Sequence, residues 1–244
     1  SPVKHPGKLP DGITVAEAMK RIPGYCPPAV WFPYVKMGQS TTGMRCDLTG
    51  GKFGPFEKQM FVGEFVISGV NRVFLEKVGG EYQGACFPFV KDLQCAVLTL
   101  DFLSDGSMVV GQSNRGWNSS GNRPFGLQRI VPTKRVPLEI EKLEVTKDGF
   151  RFSFTQPINP ASLGAIEGSS YTYTYTAKYG SPEIDPQPLV IEKTMLSKDG
   201  RALEVRCSGR REGFVHEFRL PELRSKGGEP LWHRDAYYTL NRLP

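Results

Sequence analysis

The sequence predicts an all-β protein: propeller-blade-like antiparallel sheets, about two blades' worth, followed by an immunoglobulin-like β-sandwich. Turn formers are frequent, with 27 Gly and 20 Pro, and 15 Phe and 9 Tyr accompany them, the mix expected of many short strands. Helix punctuation is convincing in one place alone. Over most of the remaining chain apolar residues recur with a period of two rather than 3.6.

Residues 1–30 read as an extended segment with one short helix. "SPVKHPGKLPDG" is polar and rich in breakers. "TVAEAMKR" then offers a helix that Thr14 caps, with Glu17 three residues on as the reciprocal partner of a capping box, and Pro23 stops it. Residues 31–135 read as the blade-like part. "MFVGEFVI" and "VNRVFLEK" are strands, and the second has apolar residues on both faces, as in a sheet covered on both sides. "VGGEYQG" turns through Gly79-Gly80. "AVLTLDFL" and "SMVVG" flank the turn "SDG". "QMFVGEF" (59–65) and "SMVVGQS" (107–113) occupy similar places in a strand–turn cadence that suggests the roughly 40-residue period of a four-stranded blade.

From Val136 the rhythm changes, so a domain boundary is expected near residues 132–138, and residues 136–244 read as the sandwich. "PLEIEKLEVTKDGFRFSFTQPI" alternates and turns at Lys147-Asp148-Gly149. "SYTYTYTAKY" sets Tyr171, Tyr173 and Tyr175 on one face and threonines on the other. "PLVIEKTMLSKDGRALEVRCSG" is a hairpin at Asp199-Gly200, and "GFVHEFRLPEL" and "AYYTLNRL" supply the last strands. About seven strands over about 105 residues is the immunoglobulin-like count, without the Cys…Trp…Cys spacing of antibody domains.

The net charge of +6 lies wholly in residues 1–135, which carry 16 basic and 10 acidic side chains. That excess suits an anionic ligand, or simply a mildly basic surface. No basic run is interleaved with aromatics, so nucleic acid is not an expected partner. No apolar run has the length of a membrane span. The five cysteines (26, 46, 86, 95 and 207) form no C-x-x-C pair, so zinc and haem-attachment motifs are absent. A Cys46–Cys86 bridge is expected within the first blade, with Cys207 left unpaired.

Two glycine-rich passages are candidate sites. In "GQSNRGWNSSGNRPFGLQR" (111–129), Asn114, Arg115 and Trp117 follow a strand end, where binding residues collect. Arg115 can clamp a carboxylate and Trp117 can stack on a sugar or cofactor ring. The structural reading is preferred here: Trp117 packs inward and Arg115 holds loop carbonyls. "TGGKFGPFEKQMFVG" carries Lys52 but lacks P-loop spacing. Of the three histidines, His216 lies in an alternating strand and reads as structural, and His233 stands two residues from Asp235 on an expected surface loop. Glu183 and Asp185 read as solvated loop carboxylates. No catalytic residue and no metal ligand is assigned.

Across most of its length, from about Pro23, the chain resembles a family of proteins. The passages "YCPPAVWFPYVKMGQSTTGMRCDLTGGKFGPFEKQMFVG", "RVFLEKVGGEYQGACFPF" and "REGFVHEFRLPELRS" carry the likeness. They resemble the C-terminal region of planctomycete-type secreted proteins with a glucose/sorbosone dehydrogenase-like, quinoprotein-like propeller. Such proteins are often named membrane-bound dehydrogenases or haem-binding proteins. The resemblance implies a periplasmic or secreted protein, with propeller and cytochrome domains upstream as its partners. It also implies pyrroloquinoline quinone and Ca²⁺ as cofactors of the full-length parent, none being evident in this chain. By residue type, Lys52, Arg72, Arg115 and Trp117 are the groups that would meet an anionic quinone. The haem motif is absent and no His stands between residues 6 and 215, so the expected role is a non-catalytic C-terminal part of a sugar or alcohol oxidoreductase. The competing reading is a non-enzymatic β module that binds carbohydrate or protein.

Overall fold

A computed structural model describes residues 7–133, 135–178 and 180–244. Among these residues it is all-β with antiparallel sheets, one short α-helix, α1 (Val15–Arg21), and a single 3-10 turn at Pro160–Ser162. The capping box is in place: Glu17 N donates to Thr14 Oγ1 at 3.1 Å and Thr14 N to Glu17 Oε2 at 3.0 Å. The blade-like part contains β1 (Thr41–Cys46), β2 (Met60–Glu64), β3 (Gly69–Val78), β4 (Glu81–Val90), β5 (Val97–Phe102), β6 (Met108–Ser113) and β7 (Phe125–Ile130). The β3–β4 hairpin turns where expected, because Gly79 (φ +56°) and Gly80 (φ +90°) occupy the left-handed region. The remainder contains β8 (Ile140–Thr146), β9 (Gly149–Phe154), β10 (Glu167–Thr172), β11 (Ile184–Pro188), β12 (Val190–Leu196), β13 (Ala202–Ser208), β14 (Phe214–Arg219) and β15 (Asp235–Leu240).

The last eight strands have immunoglobulin order. One sheet runs β8-β9-β13-β12, and it faces the run β15-β14-β10-β11. Between them lies an aromatic core in which Phe150, Phe152, Phe218 and Tyr238 are buried. The Phe150 ring stands 4.9 Å from Phe218 and 5.3 Å from Tyr238, both edge-on. The first strands make two open meanders, β1-β2-β3-β4 and β5-β6-β7. Phe53, Phe61, Val97 and Met108 fill the core shared by these meanders.

The expected boundary near Val136 does not separate two sheets. β4 pairs with β15, Cys86 opposite Tyr237 and Ala85 opposite Tyr238, and this joins the first meander to the sandwich in one eight-stranded sheet. Each of these strands would otherwise be an edge with unpaired backbone groups, and joining the two edges satisfies both. Gln83 clamps the seam: its Oε1 accepts the backbone N–H of Asn241 (2.9 Å) and Arg242 (2.7 Å), and its Nε2 donates to the Tyr238 hydroxyl (2.7 Å). Val78, Ala85 and Phe87 accordingly belong to the sandwich core. The first meander is therefore not a free-standing blade.

The expected Cys46–Cys86 bridge is also corrected. All five cysteines are free thiols. Cys46 pairs with Met60, Met60 with Val73 and Val73 with Cys86, so three strand spacings separate the two. That is about 14 Å, beyond disulfide reach. Burial pushes the Cys207 thiol up to about 11 and raises that of Cys86 further. In a thiol titration without reductant we expect the denatured chain to release five equivalents and the native protein one rapid equivalent, from exposed Cys26. Fewer than five on denaturation would mean that a bridge forms.

Candidate ligand-binding cleft

The four residues singled out for a cofactor do not come together. Lys52 is exposed and donates to the Ser104 carbonyl at 3.1 Å, beside the turn that precedes β6. Arg115 lies in the loop that follows β6, so a whole strand, about 20 Å, separates the two. Arg72 is fully buried between the rings of Phe56 (4.0 Å) and Phe87 (4.4 Å), and its guanidinium donates to the carbonyls of Ile140 and Glu141 and to Gln59. It offers no face to a ligand. Among the described residues no three His, Cys, Asp or Glu side chains gather where an ion would sit. Lys52, Arg72 and Arg115 therefore do not share one site among the described residues.

The 111–129 loop is ordered, but not by the side chains expected to order it. Trp117 is 77% exposed rather than packed, and Arg115 is exposed and makes no side-chain hydrogen bond among the described residues. Asn114 holds the loop instead. Its Oδ1 accepts from Ala96 N (3.0 Å) and Ser119 Oγ (2.6 Å), and its Nδ2 donates to the Gly121 carbonyl (2.9 Å). Ser120 N and Arg123 N add bonds to the Val66 and Gln94 carbonyls. With the backbone fixed by amide groups, nothing obliges the indole to turn inward.

A cleft of about 390 Å³ lies elsewhere, between α1, the segment 25–34 and the chain that leaves β10. Local bonds build it. Gly12 N donates to the Tyr175 carbonyl (2.7 Å) and Tyr175 N to the Ile13 carbonyl (2.8 Å), pinning the N-terminal segment to the sandwich. Trp31 N donates to Thr239 Oγ1 (2.8 Å), and Asn241 Nδ2 to the Pro28 carbonyl (2.9 Å), which seats the second wall on β15. The lining is aromatic: Tyr25, Trp31, Phe32, Tyr34, Tyr173 and Tyr175. Trp31 and Tyr173 lie 5.2 Å apart, tilted by 37°. Burial raises the Tyr173 phenol above its ordinary value, so it stays a neutral hydroxyl. Thr174, Thr176 and Ser181 add hydroxyls, and exposed Lys178 stands at the rim.

Behind this wall Lys36 Nζ bridges Glu183 (2.9 Å) and Glu217 (2.6 Å) and sits 4.8 Å over the Tyr171 ring. Glu183 and Asp185 are thus paired rather than simply solvated, Asp185 with Arg211 at 2.5 Å. His216 is buried, as its strand position implies. His233 meets Glu139, at 2.5 Å, and not Asp235, which pairs with Arg219. Of the cleft, the sequence displayed the tyrosine alternation alone. Trp31 and Tyr34 had no signal tying them to residues 140 positions away, since segment docking leaves no local pattern.

Fold and cleft define a class: an all-β protein with an immunoglobulin-ordered sandwich and an aromatic, hydroxyl-bearing cleft. The chain matches no protein-family model, no curated protein and no solved structure. No helix among the described residues is long and apolar enough to cross a membrane.

Proposed function

We propose that this protein is a non-catalytic binding module and that the aromatic cleft takes a carbohydrate. The observation that carries this reading is the wall of Trp31, Tyr34, Tyr173 and Tyr175 around a cleft of about 390 Å³, interleaved with threonine and serine hydroxyls. Flat aromatic rings cover the C–H faces of a sugar while hydroxyls exchange hydrogen bonds with its polar rim. The cleft lies where two separate chain segments dock on the sandwich, so its walls are held before a ligand arrives and less ordering is required on binding. As part of a longer secreted protein, such a module would hold a polysaccharide near domains that act on it.

Calorimetric titration with neutral oligosaccharides tests the reading. Tyr175 is half exposed, at 52%, and its backbone supplies the structural bonds, so Tyr175→Ala should leave the melting temperature in place. Loss of one stacking ring should weaken binding by about tenfold. Absence of saturable binding across the panel, or undiminished affinity in Tyr175→Ala, would reject it.

A further inference from the structure

A second cavity, of about 240 Å³, lies where the 53–56 turn, the end of β7 and the segment before β15 meet. Phe53, Phe56 and Phe89 wall its interior, and Trp232, 66% exposed, stands at its mouth. Its polar lining is Thr133, Arg135, which pairs with Glu229, and His233 with Glu139. Glu139 is buried, at 4% exposure, and both its oxygens are engaged: Oε1 accepts from Ile140 N at 2.8 Å, and Oε2 lies 2.5 Å from His233 Nδ1. The Glu139 carboxylate also faces the buried cation of Arg72 as a counter-charge. A neutral imidazole that donates from Nδ1 to this carboxylate has its lone pair on Nε2. Nε2 makes no hydrogen bond among the described residues, and the imidazole keeps 22% of its surface open. The Trp232 ring lies parallel to it, 5.7 Å away at 4°, which sets its plane.

In its neutral form an imidazole so held offers Nε2 as an acceptor to an O–H group. The rings around it require that group to sit on an apolar, flat body. A cavity of about 150 Å³ holds benzene, so the space here suits one substituted ring. We propose that this cavity binds a single-ring phenol, its ring against the wall of Phe53, Phe56 and Phe89 and its hydroxyl donating to His233 Nε2. The site shares no residue with the carbohydrate cleft and stands apart from that reading.

The test uses the described protein and two probes, 4-methylphenol and its methyl ether 4-methylanisole, which lacks the donor. We expect saturable one-to-one binding of the phenol by calorimetry, about tenfold tighter than the ether. The His233 ring proton resonance should shift on titration with the phenol. His233→Phe should abolish the preference between the probes. Equal affinities, no saturable binding, an unmoved His233 resonance, or a preference retained in His233→Phe would each overturn the proposal. The probe comparison and the resonance are read on the unmodified protein, so the result stands even if the variant does not fold.

Discussion

Arg72→Ala is expected to destabilise the fold by about 3–5 kcal/mol, the usual cost of removing one member of a buried charged group. Against the typical total stability of about 5–15 kcal/mol, that leaves a marginal protein. Arg72 belongs to β3, yet its guanidinium serves β8 on the facing sheet, through the Ile140 and Glu141 carbonyls. Gln59 shares the duty, donating to the Glu141 carbonyl at 2.8 Å. Burial pushes the guanidinium down to about 10, while Glu139 and Glu141 act to hold it up, so it remains a cation at neutral pH. Truncation takes a donor from the Ile140 carbonyl and from the Gln59 side-chain oxygen, leaves the Glu141 carbonyl to Gln59 alone, and removes the counter-charge of the Glu139 carboxylate. Urea denaturation of Arg72→Ala measures the loss, and a change below about 1 kcal/mol would show that the guanidinium is not a tie between the sheets. Arg72→Met combined with Glu139→Gln should be more stable than Arg72→Met alone, because it removes the orphaned charge.

Acidification from pH 6.5 to pH 4.5 is expected to remove about 2 kcal/mol of stability through His216 alone. His216 on β14 is fully buried, and its Nε2 accepts the backbone N–H of Arg211 at 3.1 Å, so the lone pair that would take a proton is already occupied. Desolvation, with the charges of Arg211 and Arg210, drives its pKa down to about 3 from the ordinary 6.5. Below 6.5 the unfolded chain takes up a proton that the folded chain refuses until about 3. The unfolded state therefore gains stability at a rate that rises from about 0.7 kcal/mol per pH unit at 6.5 to about 1.4 well below it. Denaturation curves at both pH values, for the parent chain and for His216→Gln, isolate this contribution from that of the carboxylates. The variant should lose less stability between the two pH values; equal losses would mean that His216 titrates normally in the fold.

The elements legible in the sequence are those whose causes lie within a few residues. The Thr14–Glu17 capping box spans three positions. The hairpin at Gly79-Gly80 needs a left-handed backbone that glycine supplies, and the β8–β9 and β12–β13 hairpins follow from Asp-Gly turns between alternating strands. Those hairpins, with the last strands, were enough to indicate an immunoglobulin-like sandwich. The candidate sites were less legible. The 111–129 loop has a binding loop's composition, but composition does not say whether Trp117 points inward or outward. Arg72 was assigned by residue type to an anionic ligand, because strand alternation cannot show that its guanidinium reaches the carbonyls of a facing sheet.

What the sequence by itself determined is the all-β class, the helix start and the hairpin turns, since backbone sterics and side-chain alternation act over short separations. The tertiary structure alone decided the rest. It joined β4 to β15 across the apparent boundary, where Gln83 meets Tyr238 over 155 residues, and it paired Glu139 with His233 over 94. Such contacts depend on which edges and buried charges remain unsatisfied once the local elements exist, and an unsatisfied group in a folded sheet leaves no mark on its neighbours in the chain.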